Sequence, residues 1–172
     1  MNHLKPLLFI SLTIFCISCQ KKKSFNPNNP LIGAWKVQQV SWISQERTAT
    51  IDQAQPGVFI FSENSYSLQW TPTKKARVPF EILSKPTDKE AIAGFKSVVF
   101  NAGNYQYTDS KITTTAIIAK VPGFEGGQIF YTYQLNQDLM ILTMVDELYP
   151  DGSKPDWSGK WSTQFTLKRI SY

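Results

Sequence analysis

Two short stretches of the 172-residue chain set phenols at alternate positions: Tyr105 and Tyr107 in "NYQYT", Tyr131 and Tyr133 in "QIFYTYQL". A third stretch, "YSLQW", alternates Tyr66, Leu68 and Trp70. Residues two apart on a strand share a face, so each stretch presents its large groups to one side. A phenol buried on such a side wants a hydrogen-bond partner, and a bound ligand can supply one. Tyr66, Trp70, Tyr105, Tyr107, Tyr131 and Tyr133 are therefore the candidate ligand-binding residues. The ordinary enrichment of aromatics in strands produces the same pattern, and both readings stand on sequence alone.

Acid–base chemistry would fall to Glu63, Glu81, Glu125, Asp146 or Glu147, with Tyr105 or Tyr131 as the acid. Each carboxylate sits in a turn or loop pattern, where a solvated surface charge is the commoner explanation. No pair has a spacing that reads as catalytic, and no catalytic residue is assigned. Two carboxyls converging in a cavity, one of them desolvated, would change that.

The N-terminus decides which other chemistries are open. Residues 1–18 have a basic start at Lys5, an apolar run over 7–17, and then "ISC". An apolar run this short suits a signal peptide rather than a spanning helix, which needs about 20 residues. "CISC" followed by "QKKK" resembles a bacterial lipobox, with Ser18 before the cut, Cys19 as the lipidated thiol, and Cys16 where Leu is usual. A plain signal peptide cut elsewhere is the alternative, but no A-x-A site lies nearby. The resemblance implies a membrane partner, reached through an N-terminal lipid on Cys19 with palmitate among its acyl chains.

Cleavage there removes Cys16 and the lone histidine, His3, and converts Cys19 to a thioether. The mature chain then has neither imidazole nor thiolate. That excludes Ser-His-Asp and Cys-His catalysis, zinc held by His or Cys, and haem held by His. No metal and no cofactor is expected. The polar segment "DELYPDGSKPDWSGK" contains Asp151-Gly152 but lacks the D-x-D-x-D-G spacing of a calcium loop.

Lys and Arg number 18 against 13 acids, and loss of Lys5 leaves a mature side-chain charge of +4. Lys21, Lys22 and Lys23 lie beside the proposed anchor, where each adds about 1 kcal/mol of attraction to anionic headgroups. Without them the folded part is close to neutral, and no basic stripe interleaved with aromatics appears, so no nucleic-acid partner is expected. "SFNPNNP" is too polar to pack and reads as a tether. The organisation is a signal peptide at 1–18, a lipidated cysteine and tether at 19–30, and one folded domain at 31–172.

Period-two patterns dominate that domain. "WKVQQVSWI" places Trp35 and Val37 on one face, then shifts phase at Gln39 before Val40 and Trp42, as a bulged strand does. "GVFIF" and "YSLQW" flank a turn at Glu63-Asn64. The Pro-interrupted stretch to Pro86 reads as a long connection with a short strand over 77–82. Thr87 and Glu90 have the spacing of a capping box, followed by Ile92, Phe95 and Val99 on one helical face. Hairpins follow through turns at Asp109-Ser110 and Asn136-Gln137, and the last strand alternates Trp161, Thr163, Phe165, Leu167 and Arg169. The chain is all-β, without βαβ alternation, and forms a sandwich or an up-and-down barrel. The run of adjacent hairpins favours the barrel, because closure removes exposed edges.

Gly33-Ala34-Trp35 on the first strand, with Arg169 near the end of the last, resembles the calycin pattern of lipocalins. In that family the Trp closes one end of the barrel and a basic residue packs across it. The ordered blocks "LIGAWKV", "GVFIFSENSYSLQ", "TDKEAIAGFKSVVFNAGNYQYTDSKI", "VPGFEGGQIFYTYQLNQDLMILT" and "FTLKR" further resemble bacterial lipocalin-like domains. The resemblance implies an eight-stranded antiparallel up-and-down lipocalin-like barrel with one short helix and a small apolar cavity. It implies structural roles in barrel closure for Gly33, Trp35 and Arg169.

Three functions remain open on these grounds. The first is a lipid-anchored protein that binds a small hydrophobic or amphipathic ligand. The second is an interaction lipoprotein presenting rim loops, with Tyr149 and Trp157 as its surface. The third is an isomerase or hydratase without His or Cys. Gln20 is not the Asp that, by resemblance to Gram-negative sorting, retains lipoproteins at the inner membrane. The expected location is a bacterial outer membrane, facing the periplasm.

Overall fold

A computed structural model describes residues 29–170. The expected signal peptide at 1–18, the expected lipidation site Cys19 and the expected tether up to residue 28 lie outside the described residues. Nine strand segments and one helix follow in order: β1 (Gly33–Ile43), β2 (Thr48–Ile51), β3 (Val58–Phe61), β4 (Ser65–Trp70), α1 (Asp88–Lys96), β5 (Val99–Tyr107), β6 (Lys111–Ala119), β7 (Gln128–Asn136), β8 (Leu139–Leu148) and β9 (Ser162–Arg169).

Every strand pairs antiparallel with its neighbours, and β1 pairs with β9 to close the sheet. β2 and β3 share one flank of β1: Val40 to Ile43 pair with β2, and Gly33 to Lys36 pair with β3. The nine segments therefore occupy eight positions around a closed barrel. Among the described residues, closure through β1 and β9 leaves the outer side of the short β2 as an unpaired edge.

The phase shift in β1 is a bulge. Its register with β9 slips between Val37 and Gln39, so Trp35, Val37 and Val40 are all buried despite the odd spacing. One inserted residue restores the inward parity and bends the long strand around the barrel. Inward positions of the other strands alternate likewise: Tyr66, Leu68 and Trp70 in β4, Thr163, Phe165 and Leu167 in β9.

Three local expectations need correction. Residues 77–82 form no strand; Pro72, Pro79 and Pro86 interrupt any ladder there. The strand that exists instead is the short β2, whose single buried residue is Ile51. The helix starts as its capping box dictates, with Thr87 Oγ1 and the Glu90 side chain bonding each other's backbone N–H groups. Its apolar residues, however, are not buried: Ile92 is 57% and Phe95 48% exposed, and Val99 belongs to β5. The Phe95 ring instead receives Lys120, whose Nζ lies 4.6 Å from its centroid. The helix thus lies beside the loop after β6 rather than covering the barrel.

Candidate ligand-binding site

The two ends of the barrel differ in chemistry. At one end the chain enters through Asn29 and Leu31, both buried. Asn29 Nδ2 donates to the Tyr105 hydroxyl at 2.6 Å, and that hydroxyl donates to Ser62 O at 2.7 Å. Asn29, which the sequence assigns to the tether, is therefore part of the fold. The Trp35 indole N–H donates to Leu31 O at 2.8 Å, and its ring, fully buried, lies 4.0 Å below Arg169 Cζ. Arg169 also donates to Ile32 O at 2.6 Å and Pro30 O at 2.9 Å, and pairs with Asp138 at 3.3 Å. Gly33, at φ +134°, leaves room for this guanidinium, since a Cβ there would lie 2.9 Å from Arg169 Nη1. This end is filled.

The opposite end holds a cavity of about 800 Å³. Its wall is made by residues of β1 and of β3 to β9, among them Trp42, Phe59, Leu68, Trp70, Tyr131 and Phe165. Two loops form its mouth: residues 120–124 after β6, and residues 149–161 before β9. The first loop tucks Phe124 inward against Gly127, where any Cβ would collide with the ring at 2.6 Å. The second is braced by Asp146, which accepts from Lys154 Nζ and from Ser158 Oγ, each at 2.6 Å. These two donors hold the Asp146 carboxyl below its ordinary pKa. Tyr149 and Trp157 line the mouth, so this rim is part of the cavity.

Polar groups inside are few. Glu147 lines the cavity, and desolvation raises its pKa above the ordinary glutamate value, with the nearby Asp146 charge acting in the same direction. A hydrogen bond from Trp157 partly offsets the shift. Asn101 is 5% exposed, and its Oδ1 has no hydrogen-bond partner. Deeper in the barrel, burial pushes the Tyr66 phenol up to about 12 and raises that of Tyr131 well above its ordinary value. Thr114 lies close enough to favour both phenolates slightly, yet the Tyr66 hydroxyl has no well-formed hydrogen bond. Both phenols are neutral donors at any physiological pH.

The family model for the lipocalin-like domain matches residues 32–170. The chain belongs to the lipocalin-like domain family. No curated protein matches it significantly. Among solved structures it is similar to the crystal structure of an uncharacterized protein from Bacteroides eggerthii, at 11% identity and a TM-score of 0.40, covering 81% of this chain and 99% of that one.

Within this lipocalin-like barrel the six aromatic candidates divide by depth. Trp70 and Tyr131 line the cavity. Tyr105, Tyr107 and Tyr133 do not: they lie at the filled end, where Tyr133 Oη donates to Thr108 O at 2.7 Å and Tyr107 packs 6.1 Å from the Tyr105 ring. The Tyr105 and Tyr133 hydroxyls thus have protein hydrogen-bond partners, and Tyr107 packs on the Tyr105 ring. Tyr66 sits between the two regions, buried but outside the cavity wall. Period-two alternation identifies the inward face correctly for all six and says nothing of height along the barrel axis.

Sequence reasoning overlooked Asn101, Trp42 and Trp161 as lining residues. The signal for Asn101 was available: "FNAGNYQY" puts it on the same parity as Tyr105 and Tyr107. Glu147 was visible only as a loop carboxylate. A register slip in the β7–β8 pairing between Phe130 and Tyr131 lies beside it, with Ile129 opposite Glu147 and Phe130 opposite Asp146. Consecutive acids thereby take opposite sides, Glu147 inside and Asp146 toward the rim loop.

Proposed function

We propose that this protein is a lipid-anchored binding protein that holds one small hydrophobic or amphipathic molecule in its barrel. The observation that supports it is the open cavity of about 800 Å³ with a mainly apolar wall, a size suited to one drug-sized ligand. A barrel of eight positions can hold one such molecule or fill with side chains. Here it does both, at opposite ends.

The anchor belongs to the same proposal. "CISC" followed by "QKKK" supports lipid attachment at Cys19, and Gln20 supports an outer-membrane location facing the periplasm. Because the chain enters the barrel at its filled end, a lipid on Cys19 would leave the cavity mouth directed away from the tether.

Acid–base catalysis has less support. Glu147 is one desolvated carboxyl near Tyr131, but the other carboxylate of the lining, Asp151, is occupied by the Ser153 N–H and hydroxyl at 2.9 and 2.6 Å. Native mass spectrometry of the protein extracted from bacterial envelopes tests the binding reading. A one-to-one adduct of a small apolar molecule is expected. A protein recovered without any adduct, and unable to take up apolar probes, would argue for a rim-presenting interaction protein instead.

A further inference from the structure

We propose that the cavity selects amphiphiles whose polar end is an ammonium group, an inference that rests on the ligand-binding reading above. Four of the five tryptophans of the chain, Trp42, Trp70, Trp157 and Trp161, line the cavity; only Trp35 does not. Indole faces attract cations more strongly than other aromatic rings, and more so where water is excluded. Glu147 stands among them with the Trp157 indole beside it, supplying a carboxylate at the same mouth. Arg47 already lies over the Trp161 ring, 5.3 Å from its centroid, so Trp42, Trp70 and Trp157 are the indoles that share the lining with Glu147, a company that suits a cation better than an anion.

The other polar atoms point the same way. Asn101 Oδ1 is a buried acceptor with no donor, a condition that costs free energy until a ligand donor satisfies it. An ammonium supplies donors and no acceptor. A fatty-acid carboxylate would instead bring a second negative charge beside Glu147 and no donor for Asn101 Oδ1. Among the described lining residues the one cation is Lys120, and its Nζ rests on the Phe95 ring of the helix. Asp151, the second acid of the lining, already receives both Ser153 donors.

The test uses the full-length protein in detergent-free buffer with N-phenyl-1-naphthylamine, a neutral apolar fluorophore, as reporter. Decylamine, decanol and decanoate compete at neutral pH, so chain length is constant and only the polar end varies. Decylamine is expected to displace the reporter at about tenfold lower concentration than either competitor, the ratio that roughly 1.4 kcal/mol of selectivity yields. Glu147→Gln is expected to abolish that advantage, with its fold checked separately by an unchanged β-sheet circular dichroism spectrum. Decanol or decanoate competing as well as decylamine would overturn the inference and leave the binding reading standing. So would an amine preference retained by Glu147→Gln. Failure of the reporter to bind at all would overturn both.

Discussion

Arg169 and Trp35 are direct partners across the strand pair that closes the barrel, and the guanidinium lies 4.0 Å from the indole centroid. One contact thus joins the first strand to the last. The guanidinium also binds Pro30 O, Ile32 O and Asp138, so it ties the entering chain and the β7–β8 turn to the same ring. Removing the ring takes away a fully buried volume and leaves these partners unsupported. Trp35→Ala is expected to destabilise the protein by about 3–5 kcal/mol in chemical denaturation. A variant of unchanged stability that had lost ligand binding would assign Trp35 to the cavity instead.

Gly103 lies where β5 and β6 slip register, facing Tyr66 across β4. An added Cβ would fall 2.1 Å from Thr115 O and 2.7 Å from Ile117 N, both backbone atoms that cannot turn aside. Gly103→Ala is expected to cost at least the roughly 1–3 kcal/mol of an overpacked interior, read as a lower melting temperature. Gly123→Ala is a contrasting substitution. Nothing lies within 4 Å of its Cβ position, and the only penalty is its φ of +91°.

Glu147 makes stability depend on pH in a sense opposite to a salt-bridged acid. Desolvation raises its folded pKa, with Asp146 acting in the same direction and Trp157 opposing. The folded protein therefore holds a proton at pH values where the unfolded chain has released it. Stability contributed by Glu147 is greatest below its unfolded pKa and falls as pH rises through the folded value. Glu147→Gln, which carries no charge to desolvate, is expected to melt above the wild type at neutral pH. The gap should close as pH falls to about 4, near the ordinary glutamate value. A constant gap across that range would show that Glu147 is not the titrating group.

The proposed lipid attachment at Cys19 gives a prediction independent of the barrel. Cells expressing the protein should incorporate labelled palmitate into it, and Cys19→Ser should abolish the label and release the protein from the membrane fraction. Labelling that survives this substitution would place the modification elsewhere.

Much of the fold was readable because its signals are local. The phase shift at Gln39 announced the β1 bulge, and Thr87 with Glu90 announced the helix start. What the sequence did not disclose depends on relations between distant segments. β2 is four residues of "TATI", and only pairing with the far half of β1 makes it a strand. The apolar stripe of the helix suggested burial, but the helix stands beside the loop after β6, and Ile92 and Phe95 remain exposed.

The candidate site divides in the same way. Alternation placed Tyr105, Tyr133 and Tyr131 on the inward face. Which of them meets the cavity was decided by strand register and by Asn29 reaching Tyr105 from 76 residues away. Glu147 entered the cavity through a register slip in the β7–β8 pairing, which no pattern of apolar residues reveals.

The central claim is that the open end of the barrel holds one small ligand. It is tested most directly by titrating N-phenyl-1-naphthylamine into the wild type and into Ala119→Trp, whose indole would fill the cavity from a lining position on β6. The account predicts saturable one-to-one binding to the wild type, and its loss in a variant with an unchanged β-sheet circular dichroism spectrum. No binding to the wild type, or equal binding to both proteins, would contradict it.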